Sequence, residues 1–107
     1  MTKYERLIQS LEETGTGTMK CFGHSMTPIL KTGSLLTFEK KEEYEIGDIV
    51  FTKCRGCFID AYKITKKDEQ KGYMIANNHG YENGWTKTIY GKVIKAVFND
   101  GTEREFK

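Results

Sequence analysis

Apolar residues recur at helical spacing in one stretch only. Tyr4, Leu7, Ile8 and Leu11 share one face, while Lys3, Glu5, Arg6, Gln9, Glu12 and Glu13 take the other. The pattern predicts a helix over residues 3 to about 13, stopped by Thr14-Gly15-Thr16-Gly17. The rest of the chain breaks into short runs of strand formers between turn residues. Strands are expected at 18–22, 34–39, 49–53, 57–65, 73–77, 88–98 and 102–106. Arg55-Gly56 and Asn99-Asp100-Gly101 read as hairpin tips. Residues 66–72 read as a polar turn, and 78–86, which carry Gly80 and Gly84, as a loop. One helix and about seven short strands in 107 residues predict a single mainly β domain over 1–107. The architecture expected is a compact antiparallel half-barrel-like sheet with one N-terminal helix.

Charge excludes some partners. Lys and Arg number 17 against 15 Asp and Glu, a net charge of +2, which gives no field for holding a polyanion. A single helix before residue 18 leaves no room for a helix-turn-helix, so no nucleic acid is expected to bind this chain by itself. No apolar run approaches the ~20 residues of a membrane span, and no apolar signal core follows Met1. A cytoplasmic location without membrane contact is therefore expected. Three cysteines, Cys21, Cys54 and Cys57, suit reduced thiols better than a disulfide framework. No phosphate-binding loop or dinucleotide fingerprint is present, and no cofactor is called for.

The densest chemical signal is Gly23-His24-Ser25-Met26-Thr27-Pro28. It follows a strand-like run. Gly23 permits backbone angles that other residues avoid. Thr27-Pro28 reads as an N-cap with Pro at the first helical position. Ser25 would then lie exposed on a sharp turn with backbone N–H groups near its hydroxyl. A nucleophile with its oxyanion hole needs that geometry. A serine that only satisfies backbone hydrogen bonds in a Gly-rich turn fits the same six residues.

Further elements follow in order: Lys31-Thr32-Gly33-Ser34, then Ile46-Gly47-Asp48-Ile49-Val50, then Tyr90-Gly91-Lys92-Val93. With Gly-His-Ser-Met-Thr-Pro, this series resembles the serine–lysine peptidase family of bacterial signal peptidases and self-cleaving LexA-type phage repressors. The Asn77-Asn78…Gly80…Asn83-Gly84-Trp85 loop is similar to that of small stand-alone phage and bacterial members. The resemblance covers about residues 18–97. It implies Ser25 as the nucleophile, its N–H in the oxyanion hole, and Met26 on the cleft wall. It also implies a protein or peptide substrate bound as an extended strand along the cleft. A homodimer stays open.

The resemblance implies a lysine base on the strand after Gly-Asp-Ile-Val, or in some members a histidine. A free lysine titrates near ~10.4, so such a base has to lose several units to burial. The strand reads Phe58-Ile59-Asp60-Ala61-Tyr62-Lys63-Ile64-Thr65, and Lys63 is its basic residue. Aligned on the residue that follows the base in the family, Tyr62 or Asp60 takes the slot instead, and Tyr62 becomes a cleft residue. Regular alternation puts Asp60 and Tyr62 on one face and Lys63 on the other. Only a bulge would re-aim Lys63. His24 and His79 are the remaining bases. The competing function is the same fold without turnover, holding a peptide of a partner.

Other residues read more simply. Cys54-Arg55-Gly56-Cys57, with Cys21 and His24, has the spacing of a four-ligand zinc set that would staple a small binding domain. Cysteines that pack as small hydrophobes are the competing reading. Trp85, Tyr81 and Tyr90 are expected to cluster, anchoring the Asn/Gly loop or walling the cleft. Asp48 is expected to fix a turn through its side chain.

Overall fold

The computed structural model describes residues 2–22, 30 and 32–106. The helical pattern becomes α1, Lys3–Thr14, with Leu7 and Leu11 buried. Its start is fixed by a reciprocal cap. The Glu5 N–H donates to Thr2 Oγ1 at 3.2 Å, and the Thr2 N–H donates to Glu5 Oε1 at 3.1 Å. Gly15 ends it in the left-handed region, φ 82°, with its N–H on the Leu11 carbonyl at 2.9 Å.

Eight strands follow: β1 (Thr16–Cys21), β2 (Ser34–Glu39), β3 (Ile49–Cys54), β4 (Cys57–Asp68), β5 (Gly72–Ala76), β6 (Glu82–Thr86), β7 (Ile89–Val97) and β8 (Glu103–Glu105). All pair antiparallel in one sheet of order β1-β2-β7-β3-β4-β5-β6, with β8 against the Lys95–Val97 end of β7. The fold is the mainly β half-barrel with one helix. Arg55 and Gly56 both take positive φ, 52° and 80°, as a two-residue hairpin requires, and set Cys54 opposite Cys57.

Three differences from the sequence reading exceed one residue. β1 begins at Thr16, because the strand leaves the helix cap directly. β4 continues to Asp68 instead of turning at Lys66, because its polar end pairs with β5. Residues 82–86, expected as loop, form the edge strand β6. Its glycine is accommodated by an irregular register: Ile75 faces Gly84 while Ala76 faces Glu82, leaving Asn83 as an extra residue.

The sheet buries two apolar clusters. Leu7, Leu11, Met19, Leu36, Phe38, Ile49, Phe51 and Val93 belong to the first, under α1. Tyr44, Val50, Cys54, Ile64 and Ile75 belong to the second. β3 supplies both by alternation: Ile49 and Phe51 to one, Val50 and Cys54 to the other. Asp48 fixes the turn before β3, as expected. Its carboxylate accepts the Glu45 N–H at 2.9 Å and pairs with Lys92 of β7 at 3.2 Å. No helix among the described residues is long and apolar enough to cross a membrane.

Candidate functional site

Ser25, with His24, Met26 and the Thr27-Pro28 cap, lies outside the described residues. The foot of the segment that carries it is well defined. Cys21 and Ser34 are partners at the ends of β1 and β2, and the Gly33 N–H donates to the Cys21 carbonyl at 2.7 Å. Phe22 stands exposed just beyond, and Leu30 is buried in the first cluster. Whatever faces Cys21 therefore faces the foot of the Ser25 segment.

What faces it is β4. The Cys21 thiol lies against the Asp60 carboxylate, although β2, β7 and β3 stand between their strands in the sheet order. The sheet has curled until the end of β1 meets the middle of β4. Asp60 is held from three sides. Its carboxylate accepts a hydrogen bond from the Tyr4 hydroxyl and pairs with Lys3 Nζ at 3.6 Å. Burial pushes the Cys21 thiol well up from its ordinary value, and the Asp60 charge adds to this. Burial likewise raises Tyr4 to about 12, helped by its hydrogen bond to Asp60 and by that charge.

The Tyr4 shift has a measurable consequence. A tyrosine whose folded pKa exceeds its unfolded value near 10 stabilises the fold fully below pH ~10 and loses that contribution as pH rises toward 12. Wild type should therefore lose stability more steeply between pH 10 and 12 than Tyr4→Phe, as read by urea unfolding at each pH. Equal slopes would remove Tyr4 from the Asp60 cluster.

Strand alternation fails on β4, and this corrects the sequence reading. Val50 is the partner of Tyr62, but Thr52 is the partner of Ile59. Two residues, Asp60 and Ala61, thus oppose the single Phe51. This is a bulge, and it turns both toward the side of the residue they face. Ala61 packs in the first cluster with Phe51, and Asp60 reaches Cys21 of that cluster. Tyr62, opposite Val50, packs against both clusters. Lys63, the partner of Ile49 and Ala76, returns to the face of Phe51, Asp60 and Cys21. Asp60 and Lys63 thus share a face. Lys63 is half-buried, and its ammonium makes no ion pair or hydrogen bond among the described residues.

His79 is exposed on the β5–β6 loop, where its N–H donates to Asn77 Oδ1 at 2.9 Å. Trp85, Tyr81 and Tyr90 do not cluster. Tyr81 is exposed, Trp85 pairs with Met74, and Tyr90 packs tilted against Phe51 with centroids 4.9 Å apart. The spacing could not reveal this, because the three sit on different strands and loops of a curled sheet. The zinc set is not assembled from its cysteines. Cys21 lies in the first cluster and Cys54 in the second, and Cys57 is exposed. Among the described residues no three potential ligands converge. Cys54 instead sets its thiol 3.7 Å from the Trp85 carbonyl. The sequence reading missed that α1 belongs to the site. Tyr4 was legible as a core-facing residue, but its hydroxyl gave no sign of Asp60.

Comparison with curated proteins and with solved structures gave no match. A family profile described as Peptidase S24-like matches residues 2–94. That span runs from the cap of α1 into β7 and includes the Ser25 segment and the bulged β4. The chain therefore belongs to the Peptidase S24-like family.

Proposed function

We propose that this chain is a serine peptidase in which Ser25 attacks the scissile carbonyl and Lys63 is the general base. The observation that carries the reading is the Asp60–Ala61 bulge, which returns half-buried Lys63, without an ion pair among the described residues, to the face that meets the foot of the Ser25 segment. The step runs as acyl transfer. The neutral Lys63 amine takes the Ser25 proton while Oγ bonds to the carbonyl carbon. The ammonium returns that proton to the leaving amine. Water, deprotonated by the same amine, then attacks the acyl carbon; the acyl–Oγ bond breaks, the ammonium returns the proton to Ser25 Oγ, and the acid leaves.

A second reading keeps the fold and drops the turnover. It draws on Asp60, because the β4 group touching the foot of the segment is a carboxylate already bound by Lys3 and Tyr4. The chain would then hold a peptide without cutting it. One experiment separates the two. Purified protein is incubated with a proteome-derived peptide mixture, and new N-termini are read by mass spectrometry. The peptidase yields cleavage products that vanish with Ser25→Ala. Products of equal yield from Ser25→Ala, or none from wild type, would leave the binding module.

A further inference from the structure

α1 and the outer edge of β1 enclose a groove of about 390 Å³. Three cations, Lys3, Arg6 and Lys20, line it, and among the described residues no acidic one does. Leu7 and Met19 give it an apolar floor, and exposed Phe22 ends it. Lys3 is committed in part: its ammonium pairs with Asp60 and lies 5.4 Å over the Phe22 ring. Arg6 and Lys20 are exposed, and their side chains make no ion pair or hydrogen bond among the described residues.

β1 is the last strand of the sheet order, so no strand pairs its outer edge. Along that edge the Thr16 carbonyl accepts Ser10 Oγ at 2.7 Å and the Lys20 carbonyl accepts Lys3 Nζ at 3.4 Å. Even-numbered carbonyls of β1 therefore point into the groove, with Thr18 between the two that are taken. From Thr18 to Phe22 the edge spans on the order of 13 Å, the length of about four extended residues.

We propose that this groove binds a short extended peptide segment of acidic, alternately apolar sequence. Apolar side chains rest on Leu7 and Met19, carboxylates meet Arg6 and Lys20, and the Thr18 backbone is available to the added strand. An apolar floor and a span of a few residues fit such a segment better than a nucleic-acid backbone, which needs a longer cationic track. Binding here requires no turnover, so it stands or falls separately from the Ser25 reaction.

The test uses the intact protein and two fluorescein-labelled hexapeptides, one alternating Glu with Leu and one alternating Lys with Leu, read by anisotropy. The acidic peptide should bind at least ~10-fold tighter than the basic one and weaken with added salt. Arg6→Glu with Lys20→Glu should lower its affinity at least ~10-fold, while Arg6→Lys with Lys20→Arg keeps it. Both positions are exposed, and an unchanged melting temperature of each variant establishes that the fold is intact. Equal affinity for the two peptides, indifference to charge reversal, or tighter binding of a single-stranded hexanucleotide would each overturn the proposal. So would a dimer, seen by sedimentation, that is abolished by the same charge reversal.

Discussion

Lys63→Met should lower the rate of peptide cleavage by about 10²–10⁴-fold, the usual worth of a positioned general base. That range corresponds to roughly 3–5 kcal/mol of transition-state stabilisation. Methionine keeps the length and apolar stem of the side chain while removing the proton acceptor. The stem should go on packing beside Ile49 and Ala76. No ion pair or hydrogen bond is broken among the described residues, so the fold should be untouched. The loss should therefore appear in turnover with an unchanged melting temperature. Cleavage by Lys63→Met at the wild-type rate would move the base elsewhere.

Phe51→Ala should destabilise the fold by about 3–5 kcal/mol, the cost of emptying a large buried site that cannot fully collapse. Phe51 is 0 % exposed. Its ring centre lies 4.9 Å from that of Tyr90, 5.8 Å from Tyr4, 5.9 Å from Phe38 and 6.0 Å from Phe58. These rings join α1 to β2, β4 and β7, so the cavity would open where four elements meet. Urea unfolding should show a lower midpoint. Phe51 is also the single residue that Asp60 and Ala61 jointly oppose. Its loss should loosen the bulge and reduce cleavage in protein that remains folded. A change below about 1 kcal/mol would mean that this ring cluster does not hold the two halves of the sheet together.

Local signals were legible and paired ones were not. The helix stood in the spacing of Tyr4, Leu7, Ile8 and Leu11, and its end stood in Gly15, because both are fixed by near neighbours. Arg55-Gly56 was readable as a hairpin because two positive φ angles need such residues. The bulge on β4 was not readable. It is a property of two strands together: Phe51 faces two residues only because Ile49 pairs with Lys63 and Thr52 with Ile59. β6 was hidden for the same reason, since Asn83-Gly84 has loop chemistry and becomes strand by pairing with β5. The Tyr4–Asp60–Lys3 cluster depends on the curl of the sheet, which brings residue 60 to residue 4. No spacing rule encodes that approach. The Gly-Asp turn was different: Asp48 caps Glu45 three residues away, and only its second partner, Lys92, is distant.

The account turns on one amine meeting one hydroxyl. The most direct measurement is the distance from Lys63 Nζ to Ser25 Oγ in a crystal of the protein with an extended peptide bound. The dyad predicts a separation within hydrogen-bond reach, roughly 2.6–3.2 Å. Nζ in open solvent, with no other proton acceptor beside Oγ, would contradict it.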